Sequence, residues 1–467
     1  MDEKSFAAEP DGAATPVTDA HPQRWRLLAL LGVAQLMLIV DVTVVAIALP
    51  RMGADLELSR SALTWVVSAY TLAFGGLLLL GGRLADLWGS RVVVLTGLTI
   101  FTTASLVTGL SGNAEVLIGG RVGQGLGAAL MSPAALSLVV KLFDGEERNK
   151  ALGIWSSLGG TGAALGVLLG GVLTAGPGWS WVFYVNVPIG VVILLVLGQT
   201  LESDRPRAAT ARLDVVGALL VTLGTGSAAY GLINAGERGW WSGATLLPVG
   251  AAVVLYIVLA VHQRTVDAPL IDPALLGRRS VATGTFLIMV ATAVMISLFF
   301  IGTFSLQHLR GFGALATGLL FLPVAAGSIA GANAAGRLIG SQGPRRVSAV
   351  GMLLAAAGSG VPLLMDGSAM LVVGMSLAAV GLGAVFVGAS VTTLSHVGHH
   401  EAGIASGVLS TFHELGAALG VAATSSLAAA SISGASDDGI ARALAGVVAV
   451  SLVAAALVSI VMRRPEV

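Results

Sequence analysis

Gly162-Ala-Ala-Leu-Gly-Val167 returns unchanged as Gly416-Ala-Ala-Leu-Gly-Val421, 254 residues further along the chain. Gly82-Arg-Leu-Ala-Asp-Leu-Trp-Gly-Ser-Arg91 returns as Gly336-Arg-Leu-Ile-Gly-Ser-Gln-Gly-Pro-Arg345 at the same offset. Gly125-Leu-Gly-Ala128 returns as Gly381-Leu-Gly-Ala384 at an offset of 256. One such match in a chain rich in glycine and alanine would mean little. Three in one order and nearly one register indicate an internal duplication.

The duplicated chain is made for lipid. Of its 467 residues 55% are hydrophobic and 11% charged, whereas a soluble protein carries about a quarter charged residues. In a bilayer only helices and closed barrels satisfy their backbone groups. The apolar runs are about 20 residues long, where a barrel strand needs only about 10. They are therefore read as helices, near 26–49, 62–81, 92–110, 116–140, 152–175, 181–201, 215–233, 244–261, 281–306, 314–335, 347–365, 369–394, 402–428 and 440–462. The repeat assigns the first six and the last six to two halves, with the two middle spans inserted.

The predicted fold is an all-α membrane protein. Its two six-helix halves are related by a pseudo-twofold axis along the membrane normal, with two added helices, fourteen in all. The predicted divisions are 23–204, 205–275 and 276–467. Residues 1–22 are polar and acidic and read as a disordered tail. They lack the basic start and apolar core of a signal peptide, so span 1 is expected to stay uncleaved.

Lysine and arginine set the orientation. With the N-terminus inside, nineteen fall on the cytoplasmic side, among them Arg83, Arg91, Lys141, Arg337 and Arg345. Five fall outside (Arg51, Arg60, Arg238, Arg310 and Arg442), and Arg121 lies within a span. Both termini are thus predicted to be cytoplasmic in a multi-pass protein of a bacterial cell membrane.

The balanced charge gives no nucleic-acid signal. The absence of cysteine excludes disulfides and thiolate chemistry. No predicted loop is long enough for a soluble domain, so an enzyme would have to hold its whole active site in the membrane. His396, His399 and His400 cluster beside Glu401, but without cysteine or a nearby aspartate no metal site is expected. No cofactor is called for.

Ionisable residues within spans are costly, by about 2.5–3.5 kcal/mol on insertion scales, and point to function by default. Subtracting the halves isolates them. Asp41 corresponds to Met295, Arg121 to the neighbourhood of Gly374–Leu377, and Asp86 to Gly340. Conversely, His413 and Glu414 correspond to Gly159 and Gly160. Asp41 is the candidate proton carrier: burial favours the neutral acid, and a nearby arginine favours the carboxylate. Arg121 is its predicted partner. His413 and Glu414 are adjacent on span 13 and point about 100° apart. Glu414 is the candidate for a cationic substrate or a second proton, whereas a histidine such as His413 more often makes a hydrogen bond between helices. Gly162, Gly166 and Gly170 recur at i, i+4 and i+8, the pattern of a close helix seam.

These stretches resemble the major facilitator superfamily, in particular its fourteen-span drug:proton antiporter branch, over nearly all the chain after residue 24. Gly82 to Arg91 is similar to the loop between spans 2 and 3 that marks the superfamily. Asp41-Val-Thr-Val-Val-Ala-Ile-Ala-Leu-Pro50 resembles the span 1 signature of the branch, with Ala46 where an asparagine is usual. Arg121-Val-Gly-Gln-Gly125 resembles the basic motif of span 4. Gly153, Gly162, Gly166, Gly170 and Gly171 match the antiporter motif of span 5, with Val167 in place of its proline. Trp179-Ser-Trp-Val-Phe-Tyr-Val-Asn-Val-Pro-Ile-Gly190 and the stretch from Gln307 to Pro323 are also branch-like. His413-Glu414 stands where Arg-Gln is more frequent.

The resemblance implies a monomeric exporter of small amphipathic or cationic compounds, such as drugs or antibiotics, driven by protons through alternating access. Asp41 and Arg121 would couple protons, and Glu414, His413, Gln124 and Gln307 would meet substrate. Gly82, Arg83, Asp86, Gly89 and Arg91 would form a conformational latch. A metabolite, amino-acid or siderophore transporter of the same superfamily is the second reading. A membrane-embedded enzyme or sensor is the third, and the lack of any clustered nucleophile, metal site or soluble domain weighs against it.

Overall fold

The computed structural model describes residues 23–201, 213–394, 397, 402–432 and 438–461. The predicted tail, the histidines near 400 with Glu401, and the loop arginines Arg205, Arg207, Arg212, Arg463 and Arg464 lie outside them. The described residues are almost all helical and include no strand. The first half holds α1 (Arg24–Asp55), α2 (Arg60–Trp88), α3 (Ser90–Gly109), α4 (Ala114–Leu142), α5 (Gly145–Ala175), the short α6 (Trp181–Tyr184) and α7 (Asn186–Thr200). Then come α8 (Val215–Arg238), α9 (Gly243–Thr265) and α10 (Pro273–Gly277). The second half holds α11 (Arg279–Phe304) with a π-helical end at Ser305–Leu309, α12 (Ala314–Leu364), α13 (Ser368–Leu394), α14 (Ala402–Leu427), α15 (Ala429–Ile432) and α16 (Asp438–Val461).

Among the described residues twelve helices are long and apolar enough to cross a membrane, against the fourteen expected. Two regions account for the difference. The 51 residues of α12 would span about 75 Å, against an apolar layer of about 30 Å. Their backbone leaves helical geometry at Gly343 (φ 77°, ψ 156°), so α12 is two helices joined at a kink. In α5 the apolar helix counted among the described residues is Thr161–Ala175, although the charged residues Glu146, Glu147, Arg148 and Lys150 end at position 150 and none follows up to Ala175. The fourteen expected spans are thus not reproduced as such: twelve helices among the described residues meet the length and apolarity of a span.

The duplication is visible in the backbone. Gly89 ends α2 at φ 89° and ψ 140°, and Gly343, 254 residues on, adopts nearly the same left-handed conformation. A side chain would be strained there, and glycine is not. Arg91 donates to the Gly198 carbonyl at 2.7 Å, and its counterpart Arg345 donates to the Ser459 carbonyl near the end of α16. Gly97 and Gly127 face each other so closely that a Cβ on either would lie 2.7 Å from the other's carbonyl oxygen. Gly351 and Gly381 meet in the same way. This pairs Gly127, not Gly125, with Gly381, and corrects the one deviating offset to 254.

Two antiparallel seams join the halves. Along α2 and α14, Gly75 lies against Thr411 and Glu414, and Gly407 against Leu79. Between α5 and α12, Gly318 packs on the Val167 carbonyl and Gly171 on Ala314. At the end that the arginine distribution places outside, Gln307 donates to the Ile47 carbonyl at 2.9 Å. There Arg60 donates to Ser425, at 3.1 Å to its carbonyl and 2.9 Å to its hydroxyl. Arg60 also reaches α8, through the Ile233 carbonyl at 2.7 Å and Glu237 at 3.2 Å.

The inserted helices are anchored at their opposite end by a carboxylate. Asp214 caps α8 through the Gly217 amide (2.7 Å) and accepts from His262 (2.7 Å), Gln263 (2.5 Å) and the Leu270 amide (3.0 Å). Gln263 in turn accepts from the Ile271 amide at 3.0 Å. Leu270 and Ile271 are thereby pinned against Ala218 and Val408, with Leu77, Leu79 and Leu80 of α2 packed alongside. Burial works against the charge of Asp214, but the hydrogen bonds from His262, Gly217, Gln263 and Leu270 outweigh it and hold the carboxyl below its ordinary range. In contrast, α9 leaves Leu247, Val253, Ile257 and Val261 exposed, as befits a helix bathed in lipid.

Candidate functional site

Four elements of the first half converge on one carboxylate. Asp41 comes from the middle of α1, Arg121 and Gln124 from adjacent turns of α4, Ser105 from α3, and Asn186 from the start of α7. All are buried, with Asp41 and Arg121 each 1% exposed. Arg121 forms an ion pair with Asp41 Oδ2, donates through Nε to the Val66 carbonyl at 2.9 Å, and donates through Nη1 to Gln124 Oε1 at 3.0 Å. Its guanidinium lies 4.3 Å from the centre of the Tyr70 ring and 6.0 Å from that of Phe183. Gln124 Nε2 donates to Asp41 Oδ1 at 2.9 Å and to Ser105 Oγ at 2.8 Å. Asn186 Nδ2 reaches the same Asp41 oxygen at 3.4 Å.

Taking such charges out of water costs several kcal/mol per ion, in the range of several to tens in the bare limit, and is repaid only where every donor and acceptor is met. Here nearly every one is. Such a network is neutral as a whole while Asp41 is ionised, and a proton on Asp41 would leave it with a net positive charge.

The second half has no counterpart. At the 254 offset, Asp41, Arg121 and Gln124 become Met295, Met375 and Ala378, all buried apolar residues. Met375 thus fills the place that the sequence narrowed only to Gly374–Leu377.

Glu414 lies across the α2–α14 seam. Its Cβ stands where Gly75 leaves room, its side chain is 12% exposed, and His413 Nδ1 sits 3.2 Å from Oε1. His413 is itself 43% exposed and tilts against Phe386, with ring centres 5.9 Å apart. Tyr70 stands between the two acids: it lies beneath Arg121 and within electrostatic range of both Asp41 and Glu414. Next to this region, Thr43, Ala46, Leu49 and Val67 of the first half face Ile296, Phe299 and Phe300 of the second around a narrow apolar cavity.

The remaining predicted residues fall in several places. Gln124 belongs to the Asp41–Arg121 network. Gln307 bridges the halves at the predicted outer end. Gly82 and Arg83 are half-buried near the end of α2, and Gly89 forms the turn. Asp86 lies in the last turn of α2, not in a loop, and is exposed. Of the glycines, Gly162 packs on Ile39, Gly166 on Thr43 and Gly170 on Val44, all in α1, whereas Gly171 touches α12. Gly153 has open space around it. Sequence reading gave Tyr70, Ser105, Val66 and Asn186 no role. Asn186 alone carried a signal, within the branch-like stretch from Trp179 to Gly190.

Comparison with known proteins identifies the family. The family model described as "Major Facilitator Superfamily" matches residues 31–421. The chain is 35% identical to the puromycin resistance protein of Streptomyces alboniger, over 87% of this chain and 83% of that one. It is 36% identical to a cephamycin export protein of Amycolatopsis lactamdurans, covering 82% and 81%. It is 33% identical to a tetracenomycin C resistance and export protein of Streptomyces glaucescens, covering 86% and 75%. Among solved structures, an inward-facing, occupied bacterial homologue of the human lysosomal transporter Spinster superposes with a TM-score of 0.70 at 16% identity, covering 94% and 97%. A peptide transporter bound to sulfate superposes with a TM-score of 0.67, also at 16% identity, covering 95% and 94%. The chain is therefore a multi-pass membrane protein that belongs to the major facilitator superfamily.

Proposed function

We propose that the protein is a proton-coupled antiporter exporting small amphipathic or cationic compounds, antibiotics among them, by alternating access. The observation that carries this reading is the buried Asp41–Arg121 pair in one half only. A structural ion pair shared by the scaffold would be expected in both halves. A carboxylate facing a fixed arginine has two states: ionised and paired, or protonated with Arg121 left to its Val66 and Gln124 partners. In the reading, a proton from outside neutralises Asp41, the pair separates, and the halves settle in an inward-facing arrangement. There the proton leaves to the cytoplasm and substrate enters.

The relatives named for puromycin, cephamycin and tetracenomycin C support export of antibiotics. Glu414 and His413 would meet cargo on the second half, with the apolar cavity at Phe299 and Phe300 supplying most of the contact, as ligand pockets usually do. Gln307 would meet it toward the outer end. The Gly82–Arg91 segment would act as a latch at the cytoplasmic mouth, with both termini cytoplasmic in a bacterial cell membrane. The chain would work as a monomer with the domain divisions given above.

The test is transport by the full-length protein in proteoliposomes carrying an imposed proton gradient and an internal pH dye. Puromycin movement against its own gradient, with dissipation of the proton gradient, is expected. Puromycin movement that leaves internal pH untouched would sink the coupling.

A further inference from the structure

When Asp41 takes a proton, it changes from a pure acceptor to a group with an O–H to donate. Some neighbour must then accept, and the surrounding hydrogen bonds select which. Arg121 is unable to, because a guanidinium has no acceptor atom. Gln124 is held in its present orientation from both sides: its Oε1 receives Arg121 and its Nε2 donates to Ser105. Turning the amide to offer Oε1 to Asp41 would set its NH2 against the Arg121 donor and break that bond. Asn186 differs. Among the described residues its side chain has one hydrogen-bond partner, Asp41 Oδ1. Its amide is therefore the one in the network able to rotate without breaking another bond.

We propose that Asn186 is a positioning residue for Asp41, donating to the carboxylate when it is charged and, after an amide turn, accepting from the carboxylic acid when it is neutral. This rests on Asp41 being the proton carrier. The reading also gives a role to the Trp179–Gly190 stretch. Trp179 joins the apolar cluster toward the predicted outer end, Phe183 flanks the Arg121 guanidinium, and Gly190 lets α7 approach Thr102 of α3. The entry of the sixth span thus delivers one aromatic wall and one adaptable amide to a charge pair made by the first and fourth spans. The other titratable or charged groups near Asp41 are Arg121 on α4, Tyr70 on α2 and, beyond Tyr70, Glu414 on α14.

A bond to the charged carboxylate is stronger than one to the neutral acid. Losing Asn186 therefore disfavours the ionised state more, and moves the pH dependence of transport toward alkaline pH. The experiment compares wild type, Asn186→Leu, Asn186→Gln and Asp41→Asn in proteoliposomes, with puromycin as the probe. For Asn186→Leu the expected result is an alkaline displacement of the pH profile by about half a unit. With it should come a fall in kcat of about five- to tenfold and little change in KM. Asn186→Gln should restore both. Where Asn186→Leu fails to insert stably, Asn186→Ser, whose hydroxyl is too short to reach Asp41, carries the same expectation. An unmoved profile with kcat and KM falling together overturns the proposal, provided that Asp41→Asn abolishes the pH dependence. If Asp41→Asn leaves the profile unchanged, the carrier reading fails and takes this one with it.

Discussion

Arg60 and Ser425, 365 residues apart, fasten the two halves at one end of the bundle through both the carbonyl and the hydroxyl of the serine. Thr64 adds a third link to the same hydroxyl, at 2.6 Å. Because Arg60 also holds Ile233 and Glu237 of α8, the inserted helix closes over this junction. Opening that end requires these bonds to break.

Arg60→Gln should therefore favour the outward-open state. The chain has no cysteine, so a single introduced Leu49→Cys reports directly. Labelling of it from outside by an impermeant maleimide should quicken about tenfold, which corresponds to about 1.4 kcal/mol, one or two hydrogen bonds. Unchanged labelling would remove Arg60 from the closure.

The two acidic sites should separate by cargo. Asp41→Asn should abolish concentrative transport of every substrate while expression persists, since shape is kept and only the titrating group is lost. Glu414→Gln should weaken transport of puromycin, which carries an amine, by about tenfold, a loss typical of an ion pair in a partly dehydrated site. It should leave tetracenomycin C, which carries none, nearly unaffected. Equal loss of both compounds in Glu414→Gln would move Glu414 into the coupling machinery.

Within the glycine motif, position should matter more than membership. Gly166→Leu must displace Thr43 and press on the Val40 carbonyl, 3.0 Å from the new Cβ. Overpacking of that kind costs about 1–3 kcal/mol, so a lower melting temperature and little transport are expected. Gly153→Leu enters open space and should melt with the wild type. A reversed order in a thermal-shift assay would contradict the packing.

The Asp214 clasp carries a defined pH dependence. Its carboxyl lies below the ordinary range when folded, so its contribution is complete above the ordinary range and is lost only as pH falls through the depressed value. Amide exchange at Leu270 and Ile271 should therefore stay slow from neutral pH down to about pH 5. In Asp214→Asn it should be fast throughout. Slow exchange in that variant would show that apolar packing alone holds the segment.

The helices were legible because lipid demands long apolar runs, and the duplication because glycines at backbone-to-backbone contacts tolerate no side chain. Asp41 and Arg121 stood out because charge within a span is costly. What stayed hidden was three-dimensional convergence. Tyr70 and Ser105 are unremarkable in a membrane span, and only the fold brings them to α4. The break between the predicted spans 314–335 and 347–365 was legible, because Pro344 after Gly343 is a boundary signal, and the backbone leaves helical geometry at Gly343.

Methionine in place of Asp41 and Arg121 in the second half has an electrical consequence. With Asp41 ionised the pair is neutral, and a membrane voltage exerts little net force on it. If Asp41 takes a proton, as proposed, the first half gains an uncompensated positive charge at membrane depth, whereas the second half, which holds Glu414 on α14, gains no charge in that step. A voltage negative inside would then add a pull to one half and not to the other, with about 2.3 kcal/mol per 100 mV available for a charge that crosses the full field. The asymmetry left by divergence of the two copies would thus turn a difference in potential into a torque between them.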